Sequence, residues 1–142
     1  MFGYSAALPQ ILKKSGVDYF VTSKISWNET NVLPYDTFMW EGIDGTEINS
    51  HFLTAQPQTK GLGFERYSSY GPMATAQEVN GAWDRYQQKE LTNEAIMTFG
   101  YGEGGGGPTE EKLESIRRTS KGLPGCAKTD IRFAGEFLDK IA

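Results

Sequence analysis

The sequence predicts an α/β fold with a partly parallel sheet, and two observations support this prediction. Short runs rich in β-branched and aromatic residues alternate with longer segments whose apolar residues recur at helical spacing. Glycine and proline separate most of these segments, as is typical of turns. Such alternation indicates strands that are connected through helices and therefore pair in parallel. The 142 residues, 38% of them hydrophobic, are enough for a single domain with a core.

The first half of the chain is predicted to contain one helix and three strands. The helix begins after a candidate N-cap at Ser5 and ends before Gly16, which suits the position that follows a helix. The strands are expected at residues 18–23, 38–40 and 46–54. A turn at 42–45 joins the last two strands, and the glycine- and proline-containing residues 55–75 are predicted to form a long loop.

The second half is predicted to alternate between helices and short strands. A helix over 75–89 is indicated by an apolar stripe of Val79, Ala82, Trp83 and Tyr86. A second helix over 109–120 is expected to turn Leu113 and Ile116 inward. The remaining predictions are strands at 95–99 and 131–133 and a final helix at 135–141.

The glycine-rich loop at residues 100–107 is the most informative stretch of the chain. It contains six glycines, and it lies between a predicted strand and a predicted helix. Glycine allows a backbone to approach a ligand closely, and loops at strand ends carry the chemistry of many α/β proteins. Glu103 is the only carboxylate between Glu94 and Glu110. It is therefore a candidate acid/base group, with a solvated loop carboxylate as the simpler alternative.

The same loop also allows a nucleotide-binding interpretation. Gly100, Gly102 and Gly105 fit the G-x-G-x-x-G pattern of dinucleotide sites. However, the following helix opens with Glu110 and Glu111, which would repel a pyrophosphate at the helix N-terminus. A mobile glycine linker is a further alternative.

Composition argues against several classes of partner. The net charge of −4, without a basic patch, disfavours nucleic acids and anionic membranes, and no apolar run is long enough to span a membrane. The single cysteine, Cys126, excludes an internal disulfide and favours a reducing, cytoplasmic compartment. One cysteine and one histidine, His51, cannot form a zinc site of the usual kind. No metal is therefore expected to bind this chain alone, and a hydrogen-bonded place in the core is expected for His51.

Several long motifs resemble glycoside hydrolase family 38, the α-mannosidases, in its bacterial and cytosolic-type branch. They read MFGYSAALPQILKKSGVDYFVTSKISWNETN, YDTFMWEGIDGTEINSHFLT, WDRYQQKEL and FGYGEGGGGPT, in the order of the family. The resemblance covers nearly the whole chain and is weakest across 55–75. It implies that residues 1–142 are an internal fragment of a catalytic domain and form part of a seven-stranded (β/α) barrel.

The resemblance also implies a retaining, two-carboxylate hydrolysis of α-linked mannose, assisted by a divalent metal, usually zinc. The nucleophilic Asp of the family's Asp-x-Phe-Gly motif would directly precede Met1, while Phe2 matches the motif and would contact the sugar. Lys24 corresponds to a basic residue near that nucleophile. Glu103 takes the place of the acid/base Asp and is one methylene longer, a departure that changes the separation of the carboxylate pair.

These implications lead to an expectation for the chain by itself. Because the nucleophile and the metal ligands are not among its residues, we expect it to be inactive and to need the remaining portions of its parent domain. The expected partner is a mannose-containing glycan. A non-catalytic sugar-binding remnant is the alternative from a different functional class.

Overall fold

The computed structural model describes residues 3–56, 67–102 and 105–142. Its regular elements are four α-helices, three strands and one short 3-10 helix within these ranges. In chain order they are α1 (Leu8–Lys14), β1 (Tyr19–Thr22), the 3-10 helix (Lys24–Ser26), β2 (Thr37–Glu41), β3 (Glu47–Phe52), α2 (Ala76–Arg85), α3 (Glu110–Thr119) and α4 (Ala134–Leu138).

The three strands form one mixed sheet in the order β1-β3-β2. β3 is central. It pairs in parallel with β1, where Val21 lies opposite His51, and antiparallel with β2, where Thr37 lies opposite His51 from the other side. The predicted turn at 42–45 is confirmed, because Gly45 has φ +80° and its amide donates to the carbonyl of Gly42 at 3.0 Å. The hairpin therefore brings β2 back beside β3 without a helix between them.

The partial seven-stranded (β/α) barrel that the resemblance implied is wrong for the structure. The described residues contain a three-stranded mixed sheet with few helices. The physical reason lies in the chain path. A (β/α) barrel needs parallel strands joined by crossover helices, whereas β2 and β3 are joined by a tight turn and must run antiparallel.

The predicted strands at 95–99 and 131–133 are also wrong, since neither segment is a strand in the described structure. Apolar composition alone does not make a strand, because a strand also needs a hydrogen-bonded neighbour. The apolar side chains of both segments instead line a cavity of about 280 Å³ beside α2, α3 and α4. Residues 95–99 are half-buried there, whereas Ile131 and Phe133 remain 58% and 85% exposed.

The two long helices begin where the sequence supplies caps. Thr75 and Glu78 form a reciprocal capping box at the start of α2, and Thr109 caps α3 by accepting from the amide of Lys112 at 3.3 Å. The predicted inward face of α3 is partly wrong, because Leu113 is 44% exposed. Lys112, Ile116 and Thr119 are buried instead, at the helical spacing of i, i+4 and i+7.

The core beneath the sheet contains a polar network around His51. His51 is 1% exposed, and its Nδ1 lies 2.9 Å from the hydroxyl of Thr37. The same Thr37 hydroxyl lies 2.9 Å from the hydroxyl of Tyr86, which stands at the end of α2. The rings of Tyr86 and Phe137 pack against the imidazole. The expectation of a hydrogen-bonded core histidine is therefore confirmed, and this network ties β2, β3 and α2 together.

Among the described residues, none of the helices combines the length and the apolar character that a bilayer crossing requires.

Candidate functional site

Of the three predicted site residues, the structure describes only Lys24. Glu103 and Phe2 lie outside the described residues. Lys24 opens the 3-10 helix that directly follows β1, so it lies beyond the carboxyl end of an edge strand. The candidate site is therefore built from the surroundings of Lys24 and from the described ends of the glycine loop.

Two aromatic rings flank the ammonium group of Lys24. Its Nζ lies 4.8 Å from the ring centroid of Trp27 and 5.7 Å from that of Tyr70. Both distances are within the range of a cation–π attraction, in which the negative ring face stabilises the charge. The Lys24 backbone amide also donates to the hydroxyl of Thr22 at 3.1 Å. The cation is thus held in a half-buried position at the end of β1.

Tyr70 fixes the end of β1 through its hydroxyl group. The backbone amide of Ser23 donates to this hydroxyl at 3.0 Å, and the hydroxyl of Thr22 lies 3.1 Å from it. The hydroxyl of Tyr4 lies 2.5 Å from the same Thr22 oxygen. Thr22 and Ser23 are buried, so these bonds satisfy polar groups that water cannot reach.

Trp27 packs against its neighbours instead of presenting a free ring face. Its ring stacks on Tyr67 with the centroids 5.0 Å apart and an interplanar angle of 12°, and Lys24 lies over it as well. The indole Nε1 donates to the carbonyl of Ser68 at 3.0 Å. This arrangement favours a packing role for Trp27 over a role as a stacking platform for a sugar.

We did not identify Tyr70, Tyr67 and Ser68 from the sequence. They belong to the stretch predicted as a long loop, where no hydrophobic period marks a residue as interior. Their importance follows from contacts with residues 40 or more positions earlier in the chain. The one usable sequence signal was the unusual length of the loop, since long loops in compact domains are commonly functional.

The described ends of the glycine loop form a tight backbone turn. The amide of Tyr101 donates to the carbonyl of Gly107 at 2.5 Å, and the amide of Gly106 donates to the carbonyl of Tyr101 at 2.8 Å. Gly102 and Gly107 have φ of +58° and +73°, a region that glycine enters without strain. The turn therefore favours glycine at 102 and 107, which disfavours the alternative of an unstructured linker for the described ends of the loop.

We define the Lys24 pocket as Thr22, Lys24, Trp27 and Tyr70. The glycine loop meets this pocket at residues 70–71. The hydroxyl of Thr98, just before the loop, donates to the carbonyl of Tyr70 at 3.1 Å. The ammonium of Lys112 donates to the carbonyls of Gly71 and Gly100, at 3.0 Å for the former. The structure thus brings the predicted basic residue and the predicted catalytic loop to the same segment.

The start of α3 is unsuited to a pyrophosphate. The Thr109 hydroxyl already accepts from the Lys112 amide, and Glu110 and Glu111 occupy the first turn. Both carboxylates also line a cleft of about 950 Å³ beside the loop, together with Glu78 and Glu114. Like charge would repel a phosphate here, which disfavours the nucleotide-binding alternative.

The described residues do not fit a divalent metal. They contain no group of three His, Cys, Asp or Glu side chains close enough to share an ion. His51, the only histidine, has its Nδ1 beside the Thr37 hydroxyl, and burial lowers its pKa to about 4. Cys126 is part-buried, and its thiol contacts backbone carbonyls. These donors serve packing and cannot form a coordination shell together.

Comparison with known proteins identifies the class to which these features belong. Residues 1–142 match the model of the glycosyl hydrolases family 38 N-terminal domain, and the chain belongs to this family of glycoside hydrolases. The chain is 40% identical over 125 residues to "Alpha-mannosidase 2C1" of Mus musculus and 36% identical over 142 residues to "Alpha-mannosidase G" of Dictyostelium discoideum. These alignments cover 87% and 99% of the chain but only 11% and 12% of the two relatives.

A yeast relative gives the same result. "Alpha-mannosidase" of Saccharomyces cerevisiae is 38% identical over 117 residues, which cover 82% of the chain and 10% of the relative. The chain therefore spans about a tenth of the length of the curated relatives it matches.

Proposed function

We propose that this chain is part of a retaining α-mannosidase of the bacterial and cytosolic-type branch, acting on α-linked mannose in glycans in the cytoplasm. One observation carries the proposal, namely the unbroken family match over 1–142 with relatives named as α-mannosidases. The single cysteine is consistent with a reducing compartment. In this proposal residues 1–142 supply one piece of a larger catalytic domain.

Glu103 is the acid/base group in this proposal. It first donates a proton to the glycosidic oxygen while the nucleophilic carboxylate bonds to the anomeric carbon and the bond to the leaving group breaks. It then takes a proton from the water that releases the mannose, so the proton balance closes over the two steps. A glycine-rich loop suits this role because it has few side chains to obstruct a sugar. The extra methylene relative to Asp changes the reach of the carboxyl group, not its chemistry.

Lys24 and Phe2 are proposed to serve the substrate side of the reaction. A cation beside a carboxylate stabilises its ionised form, which is the form a nucleophile needs. The rings of Trp27 and Tyr70 support this role, because both lie within cation–π distance of the Lys24 ammonium and help to position it at the end of β1. Phe2 offers an apolar surface for the carbon face of a sugar. Tyr70 acts through Lys24 by fixing both the pocket and the end of β1.

A divalent metal, with zinc as the expected ion, belongs to the proposal only for the larger enzyme. The described residues do not supply its ligands. Its ligands, like the nucleophile, are proposed to come from the portions of the relatives that this chain does not cover.

The chain by itself is proposed to be inactive, and a turnover assay tests this point. Incubation with an aryl α-mannoside, with and without added Zn²⁺, should release no phenol above the buffer rate. Turnover that disappears in Glu103→Gln would contradict inactivity while supporting the acid/base role. Turnover that persists in Glu103→Gln would contradict the role of Glu103.

Binding to the Lys24 pocket can be tested without turnover. In an NMR titration with methyl α-mannoside, the amides of residues 22–27 and 98–102 should shift together. In Lys24→Met, the ligand concentration at the midpoint of these shifts should rise about tenfold, because a charged hydrogen bond to the sugar is lost. Lys140→Met is the matched control, since Lys140 pairs with Glu94 on the surface. Equal titrations for wild type and Lys24→Met would remove Lys24 from the site.

The same titration addresses the alternative of a non-catalytic sugar-binding remnant. Binding by this chain, combined with inactivity of any longer form that contains it, would favour that alternative. A titration with a nucleotide should give no shifts at the α3 N-terminus, because Glu110 and Glu111 repel phosphate there.

A further inference from the structure

Lys112 is an unusually buried lysine. It is only 2% exposed, although it lies in the first turn of α3. Lysine is rarely buried to this extent unless its charge is satisfied. A cation in the first helical turn also opposes the positive end of the helix dipole. The stability of α3 therefore does not explain why a lysine occupies this position.

The ammonium of Lys112 is satisfied by two backbone carbonyls. It donates to the carbonyl oxygens of Gly71 and Gly100, at 3.0 Å for Gly71. Within the described ranges, no carboxylate oxygen lies within 4.0 Å of this nitrogen, so the group does not serve an ion pair. Charged donors make stronger and more directional hydrogen bonds than neutral ones. The side chain thus clamps two separate segments against α3.

The two clamped carbonyls belong to the two parts of the candidate site. Gly100 is the first residue of the glycine loop. Gly71 follows Tyr70, whose hydroxyl fixes the end of β1 and whose ring flanks Lys24. The backbone of Lys112 is also held, because its amide donates to Thr109. One residue therefore couples the loop, the Lys24 pocket and the start of α3.

We propose that Lys112 is a positioning residue that fixes the start of the glycine loop relative to the Lys24 pocket. The meaning of this role rests on the proposed function, because that function places the acid/base group within this loop. Lys112 touches no reacting atom in this assignment. It acts by holding two backbone segments in register, so that a loop of glycines keeps one geometry despite its conformational freedom.

Amide hydrogen exchange in the 142-residue chain tests the proposal. In Lys112→Met, which keeps length and helix propensity, the protected amides of Tyr101 and Gly106 should exchange about tenfold to a hundredfold faster. The amides of β3 should keep their rates. Lys112→Arg, which retains two charged donors, should restore most of the protection. Lys121→Met is the matched control on an exposed lysine of the same region and should change nothing.

Two results would overturn the proposal. The first is unchanged exchange at Tyr101 and Gly106 in Lys112→Met. The second is acceleration of these amides and of the β3 amides by the same factor, which would mean that Lys112 contributes only to global stability. Rescue by Lys112→Arg distinguishes a need for the cation from a need for side-chain volume.

A measurement on the unsubstituted chain keeps the test valid if Lys112→Met does not fold. The ammonium protons of Lys112 should be protected from solvent exchange relative to those of Lys121. Equal rates for the two lysines would contradict the clamp. Neither measurement depends on turnover, so a failed mannosidase assay leaves this inference intact, and failure of the exchange test leaves the proposed function intact.

Discussion

The region around the sheet and the region around the glycine loop and α3 are held together in different ways. In the sheet region, the buried polar side chains form hydrogen bonds with residues far along the chain. Thr37 contacts His51 and Tyr86, which are 14 and 49 positions away. In the loop region, α3 relies mostly on neighbours within one turn. Glu114 there bonds Arg117 and Arg118 on its own helix.

This difference shows where tertiary structure does the stabilising. The sheet region contains buried polar groups that share partners, so the loss of the single Thr37 hydroxyl leaves both His51 and Tyr86 without this hydrogen bond. The α3 surface leaves its ion pairs in solvent, where screening makes each of them weak. Lys112 departs from this pattern, because it gives the loop region a buried link to residues 71 and 100. The following predictions test this contrast.

The largest effect is expected for Thr37→Val. The substitution keeps the shape but removes the hydroxyl that His51 and Tyr86 share, leaving both buried polar groups unpaired. We expect a loss of about 3 kcal/mol in the free energy of unfolding, measured with urea. Thr30→Val, at an exposed position, is the control and should change the value little. If Thr37→Val lost less free energy of unfolding than the control, the hydrogen-bond network around His51 would not stabilise the fold.

A pH effect at His51 is expected next. Burial lowers the folded-state pKa of His51 from 6.5 to about 4, so the unfolded chain takes up a proton first as pH falls. The stabilising contribution is complete above pH 6.5 and is lost as pH falls toward 4. Between pH 7.5 and 5 the free energy of unfolding should drop by about 2 kcal/mol.

The same measurement on His51→Gln shows whether His51 causes this drop in the free energy of unfolding. This variant should lose most of the pH dependence in the same window. Asp36 contributes with the opposite sign, because burial raises its pKa and its contribution grows as pH falls. A drop of equal size in His51→Gln would assign the effect to other groups.

Smaller effects should separate the two helix caps. Thr75→Ala removes one half of a reciprocal capping box and should cost about 1–2 kcal/mol, whereas Thr109→Ala removes a single bond and should cost about 0.5–1 kcal/mol. Urea unfolding of both variants gives the comparison. The reverse order would show that α3 depends on its cap more than α2 does.

The smallest effect is expected for Glu114→Gln on the exposed face of α3. Hydrogen bonds from Arg117 and Arg118 lower the pKa of Glu114 to about 2, so its contribution is present above pH 4.5 and is lost as pH falls toward 2. Solvent screens both pairs, so the urea midpoint at moderate salt should hardly move. A shift of the urea midpoint as large as that of Thr37→Val would contradict the proposed difference between the two regions.

The sequence alone located most of the local structure. The helices α1, α2 and α3, the three strands of the sheet and the turn at 42–45 all lie within or beside the predicted ranges. Capping residues, helical periodicity and turn glycines determine these features, and each acts over only a few residues. The family was also accessible from sequence, because its motifs are contiguous and Lys24 could be placed within one of them.

What the sequence left undecided depends on partners distant in the chain. It did not predict that Tyr70 would anchor the end of β1, or that Lys112 rather than Leu113 would face inward from α3. It also assigned strands to 95–99 and 131–133, because a run of apolar residues indicates burial but does not reveal whether a pairing edge is available. The barrel was implied by the resemblance and is wrong, because the turn at 42–45 pairs β2 antiparallel with β3. Local propensity is a property of neighbouring residues. Strand pairing, the burial of Lys112 and the contact between the glycine loop and the Lys24 pocket depend instead on distant groups that only the folded chain brings together.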